Sequence, residues 1–245
     1  MSGHSKWAGI KHKKAIIDAK RGKVFTRINR ELTIAAKQGG NPENNSRLRK
    51  AIEDAKAANM PMDNLKKAIQ RGTGELPGVN YEEFVYEGYG PGGVAVMVDI
   101  TTDNKNRTHS EIKKIFSSHG GNLGDTGCVG WMFKPEGYIT VEKSNAKEDD
   151  LMNIAIDSGA EDVKSDDESL YEIFTASPDF EKVKKALENK KIPIESAENT
   201  MVASTYIKLE DNDARKMIEL MDELENSDDV KNVYSNFEVD DAQIK

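Results

Sequence analysis

The sequence predicts a multidomain α and α+β protein: an N-terminal three-helix bundle followed by two ferredoxin-like α+β domains, one inserted in the other. Three observations lead there. Apolar residues recur every three or four positions up to Gly72 and every two positions beyond Asn80. From Gly137 the periods run strand, helix, strand, strand, helix, strand, the order of a ferredoxin-like unit. On each side of that unit lies a strand–helix–strand set, so one such domain is split by insertion of another. The termini of a compact unit lie close together at its surface, which makes the insertion geometrically easy. The expected divisions are residues 1–78, residues 79–136 with 200–245, and residues 137–199.

Taken in order, Phe25, Ile28, Leu32 and Ala35 form one helical face, and Gly39-Gly40 ends that helix. Asn41 is the expected N-cap of the next helix, with Pro42 at its first position. Leu48, Ile52 and Ala55 make its stripe. Leu65, Ala68 and Ile69 make a third, which Gly72 is expected to stop. Residues before Lys14 carry no stripe, and Gly72–Asn80 is the expected linker. Strands follow at 84–87 and 94–100, joined by the glycine-rich Gly88–Gly93, then a helix over 105–118 and a strand near 130–134. The inserted unit comprises strand 138–142, helix 147–158, a short strand at Val163, strand 170–175, helix 179–189 and strand 192–195. Strand 203–209, helix 214–224 and strand 230–237 complete the host.

The net charge of −8 conceals a division. Residues 1–75 hold 17 Lys+Arg against 7 Asp+Glu, a surplus of ten positive charges; residues 76–245 carry −18. Fields of opposite sign orient a molecule on a polyanion with its basic end inward. The candidate nucleic-acid-binding residues are His4, Ser5, Lys6, Trp7, Lys11, Lys13 and Lys14 in the leading segment, Lys20, Arg21, Lys23, Arg27 and Arg30 after it, and Arg47, Arg49 and Lys50 in the second helix. Cations neutralise phosphates, hydroxyl and imidazole groups donate to them, and an indole stacks on a base. With about six phosphates neutralised, log K against log salt falls with a slope near −5. No zinc-finger, basic-zipper or helix-turn-helix pattern is complete, and arginine is scarce in the leader, so the expected mode reads backbone and shape.

Other chemistry finds no constellation. Gly88–Gly93 lacks the Lys-Ser/Thr ending of a phosphate loop and precedes a strand, so it is expected to be a hairpin turn. Gly120–Gly130 reads as a loop. No two of His4, His12, His109 and His119 have helical metal-site spacing, and Cys128 offers a single thiol; His119 reads as a helix-end cap. Asp103 or Thr108, with Glu111, reads as capping. No apolar run approaches the length of a membrane span. The expectation is no enzyme, no cofactor, no metal, no small-molecule substrate and no membrane partner. One cysteine, and no apolar run behind the basic start, fit a cytoplasmic protein.

Five stretches carry a family resemblance: GHSKW from Gly3, DAKRGKVF from Asp18, AAKQGGNPENNSRLR from Ala35, NMPMDNLKKAIQRGTG from Asn59 and YEGYGPGGVAVMV from Tyr86. They resemble the YebC/PmpR family along the whole chain. That resemblance implies a DNA-binding transcriptional regulator. Some relatives, mitochondrial ones among them, are linked instead to translation on the ribosome, which implies ribosomal RNA as the alternative partner.

Overall fold

The computed structural model describes residues 21–167 and 169–239. Its first unit is helical: α1 (Arg21–Ala36), α2 (Ser46–Ala57) and α3 (Met62–Thr73). Leu32, Ala35, Leu48, Ala51, Ala55, Leu65 and Ala68 form its core, with Phe25, Ile28, Ile52 and Ile69 packed against them. Two local expectations change. The N-cap of α2 is Asn45, whose side chain accepts from Leu48 N at 3.0 Å and donates to Ala35 O at 2.7 Å. Asn41 instead closes a turn by accepting from Glu43 N. Nor does Gly72 stop α3; Gly74, at φ 85°, does. Gly72 lies where α3 crosses α1, and a Cβ there would sit 2.2 Å from Thr33 O and 2.6 Å from Ala36 Cβ.

The second unit is a four-stranded antiparallel sheet in the order β3-β1-β2-β9, from β1 (Glu82–Tyr89), β2 (Ala95–Thr102), β3 (Asn122–Leu123) and β9 (Val230–Ser235). β1 and β2 form the expected hairpin, closed by Gly90 N to Val94 O at 2.8 Å. Helices α4 (Lys105–Ser118) and α7 (Asp211–Asn226) cover one face. Every residue of β2 except Asp99 is buried, because its alternate side chains enter two cores. Val96, Val98 and Ile100 meet Ile112, Phe116, Met217 and Leu220. Ala95 and Met97 meet Val129, Phe133 and Ala203 on the other face.

The expected strand near 130–134 is replaced. Gly130–Met132 is a 3-10 turn, and the strand starting at Phe133 belongs to the other sheet. The position beside edge strand β3 is filled by β1, which leads the unit instead of following the first helix. A two-residue strand inside a glycine cluster leaves no alternation to read, whereas Trp131-Met132-Phe133 imitates one.

The third unit has β4 (Phe133–Glu142), α5 (Glu148–Asp157), β5 (Ala160–Lys164), β6 (Leu170–Ala176), α6 (Phe180–Asn189) and β7 (Ser196–Ala203). Its sheet order, β5-β6-β4-β7, antiparallel throughout, is that of a ferredoxin-like unit. Ile139, Val141 and Ile173 pack on Leu151, Phe180, Val183 and Leu187. The sheet pairs Phe133 with Ala203, so the expected divisions at 136–137 and 199–200 fall inside strands. The expected strand 192–195 starts later: Ile192 and Ile194 are only partly buried, ahead of β7. The expected strand 203–209 reduces to β8 (Ile207–Lys208), which pairs in parallel with β10 (Phe237–Glu238). No helix among the described residues is long and apolar enough to cross a membrane.

Candidate nucleic-acid interface

His4, Ser5, Lys6, Trp7, Lys11, Lys13, Lys14 and Lys20 lie outside the described residues, as does the side chain of Arg21. The remaining candidates divide into two sets.

The first set faces inward. Lys23, Arg27 and Arg30, spaced four and three apart, occupy one face of α1. Lys23 Nζ donates to Asn226 O at 2.6 Å, and the Arg27 and Arg30 guanidinium groups donate to Glu225 O and Asp228 O. These carbonyls mark the C-terminal end of α7, where unsatisfied C=O groups concentrate negative charge. The last turn of α7 has no basic residue of its own; α1 supplies the cations. Burial pulls the Arg27 guanidinium below its usual range, opposed by Glu225 and Asp228.

Arg30 also donates to Thr101 O at 3.2 Å, pairs with Asp229 at 3.0 Å, and lies over the Tyr81 ring. Asp229 is 4% exposed and takes further hydrogen bonds from Arg107 (2.8 Å), Thr108 (2.6 Å) and Thr102 (2.9 Å). Burial pushes its carboxyl upward, but these donors and the Arg30 charge hold it below the usual range. Thr108 is therefore a partner of Asp229 inside α4, and the N-cap is Asn104, which accepts from Arg107 N at 3.1 Å.

Arg47 is the second inward contact. It makes bidentate bonds to Glu31 (2.6 and 3.1 Å) and to Glu83 (2.8 and 2.6 Å), and Lys231 joins Glu31 at 2.8 Å. Burial raises the Glu31 carboxyl, yet Arg47 and Lys231 hold it below the usual range; at Glu83 the bond from Arg47 dominates and lowers it outright. The Arg47 guanidinium is correspondingly raised, chiefly by Glu83 and Glu31. A cleft of about 140 Å³ between α1 and the start of β9 is lined by Arg27, Arg30 and Lys231 against Glu31, Asp228 and Asp229. With three charges of each sign it has no net pull on a phosphate.

The second set faces outward. Arg49 and Lys50 on α2 are exposed; among the described residues Lys50 makes only the helical pair with Asp54 at 3.0 Å. Lys56 on α2 and Lys66 and Lys67 on α3 are also exposed and, with Arg49, make no ion pair among the described residues. These three lysines sit outside the dense leading run, so charge density along the sequence does not mark them. Nor does any local pattern mark Asp229 and Glu83, whose partners come from distant segments.

The other polar groups are structural. Glu87, 6% exposed, accepts from Gly127, Val129 and Gly130 N–H at 2.6–2.8 Å. Those three donors hold its carboxyl below the usual range although burial pushes it upward. The Cys128 thiol is pushed up by burial and then by the Glu87 and Asp125 charges, the opposite of an activated nucleophile. His119 caps α4, with Nδ1 2.9 Å from Ile115 O. Among the described residues no group of three or more His, Cys, Asp or Glu side chains is gathered to hold a metal ion.

Residues 5–75 match the family model described as the TACO1/YebC protein N-terminal domain, and residues 81–237 match that of the TACO1/YebC second and third domain. A protein of Endomicrobium trichonymphae named "Probable transcriptional regulatory protein" is 62% identical over 241 residues, covering 98% of this chain and 96% of that one. One of the same name from Elusimicrobium minutum is 59% identical, covering 98% and 97%. The crystal structure of a conserved hypothetical protein from Aquifex aeolicus superposes with a TM-score of 0.82 at 48% identity, covering 97% of this chain and 98% of that one.

Proposed function

The chain belongs to the TACO1/YebC family, and from that premise we propose that it is a DNA-binding transcriptional regulator that contacts nucleic acid through its basic N-terminal unit. The observation that carries this reading is the separation of charge: residues 76–245 hold −18, while the helical unit keeps Arg49, Lys56, Lys66 and Lys67 exposed after its inner cations are engaged. The names of the relatives supply the transcriptional part. The chain acts by binding and not as an enzyme, with no cofactor, metal or small-molecule substrate, and without a membrane partner.

A second reading, a ribosome-associated translation factor that binds ribosomal RNA, has one observation in its favour. The exposed described cations are mostly lysines, point charges that meet phosphates without reading base edges. Backbone recognition of that kind suits folded RNA as well as duplex DNA. Titration against promoter duplex, random duplex and structured RNA at stepped salt separates the two. The first reading expects the promoter to bind about a thousandfold tighter than random DNA at physiological salt. Equal binding to both duplexes with tighter binding to RNA sinks it in favour of the second.

A further inference from the structure

Trp131 is 73% exposed, while the other exposed large apolar side chains of the described residues reach at most 54%. It lies beyond the Glu87–Tyr89 end of β1, at the opposite end of that strand from the helical unit, which meets Tyr81 and Glu83. The turn that carries it is firmly built. The buried Glu87 carboxylate grips Gly127, Val129 and Gly130, Tyr89 OH donates to Cys128 O at 3.1 Å, and Ser204 N donates to Met132 O at 2.8 Å. The indole N–H donates to Cys128 O at 3.2 Å. With its one polar edge satisfied, the ring has only its π faces to present.

Trp131 lies in the acidic part of the chain, with the exposed Lys134 three residues beyond it. Exposed Asp125 opens the same turn, its backbone carbonyl accepting from Cys128 N at 3.1 Å. The neighbouring Cys128 thiol is pushed up first by burial and then by the Glu87 and Asp125 charges. A stacked nucleobase would bring its phosphates into this field and that of the −18 region. A cation is favoured by both the field and the ring quadrupole. Guanidinium is the better fit, because it is planar, less strongly hydrated than ammonium, and lies flat on an indole.

We propose that Trp131 and Asp125 form a docking point for an arginine side chain of a basic protein segment, a protein-binding site separate from the nucleic-acid surface. It stands whether or not the nucleic-acid reading does, since the two peptides whose difference carries the test bear no phosphate. The test uses the full chain with two blocked peptides of equal length, alternating arginine–glycine and lysine–glycine, and with oligoadenylate. Affinity is read by calorimetry, and site occupancy by the indole N–H resonance of Trp131. The arginine peptide is expected to bind about threefold to fivefold tighter than the lysine peptide and to move that resonance. Trp131→Ala should remove the preference with an unchanged melting temperature, and Asp125→Asn should weaken both peptides. Equal affinity for the two peptides, a preference that survives Trp131→Ala, or a resonance moved by oligoadenylate and not by the arginine peptide would overturn the proposal.

Discussion

Two sets of cations sit in the same helical unit and have opposite fates. Lys23, Arg27 and Arg30 on α1 close over the C-terminal end of α7 and Asp229, while Arg49, Lys56, Lys66 and Lys67 on α2 and α3 face outward. In the sequence the first set looks the better nucleic-acid contact, because it is denser and arginine-rich. The difference teaches that charge density marks where an anion is met, not whether that anion belongs to a ligand or to the chain itself. An acidic second unit beside a basic first one needs internal cations at the junction, and α1 provides them.

The largest expected effect tests the inward set. Asp229→Ala leaves the Arg30 guanidinium, 12% exposed, without its carboxylate and removes one acceptor each from the Thr102 and Thr108 hydroxyls. Breaking a buried pair from one side costs about 3–5 kcal/mol, to be read from urea unfolding. A loss under about 1 kcal/mol would put α1 among idle surface charges. The same carboxylate sets an acid limb. Its folded-state pKa is depressed, so its contribution is fully present above the ordinary carboxylate range near pH 4 and is lost as pH falls through the folded value. Asp229→Ala should flatten that limb.

Next in size, Gly72→Ala separates packing from charge. The added methyl meets Thr33 O, a backbone atom that cannot swing away, and overpacking of this kind costs about 2–3 kcal/mol. Neither cation set is touched. Thermal unfolding should move down while nucleic-acid affinity below the transition stays level; a matching loss of affinity would tie the outward set to the α1–α3 crossing.

Much of this architecture was legible in the sequence. The stripes Leu32/Ala35, Leu48/Ala55 and Leu65/Ala68 gave the bundle core, and the βαββαβ order from Tyr138 gave the second sheet. What escaped had physical causes. β3 is two residues long, too short for a period. Gly72 stops helices by propensity, but here it admits a close backbone crossing. Asn45 and Asn41 are equally good caps by type, and only the bond to Ala35 O decides between them. At the candidate interface, the partners of Arg27, Arg30 and Arg47 come from residues 31, 83, 101 and 225–229, so no local pattern could assign them.

The smallest but most direct effect is a change of salt slope. Duplex binding should be followed from 50 to about 200 mM salt, the range over which counterion release is read, for the native chain, Arg49/Lys66/Lys67→Ala and Arg27/Arg30→Ala. The outward triple variant should flatten the slope by about two to three units, roughly 0.9 for each phosphate contact removed, with unfolding unchanged. The inward pair should leave the slope alone and lower the unfolding free energy. The reverse pattern, with the slope flattened by Arg27/Arg30→Ala and untouched by the triple variant, would contradict the division of cations on which the account rests.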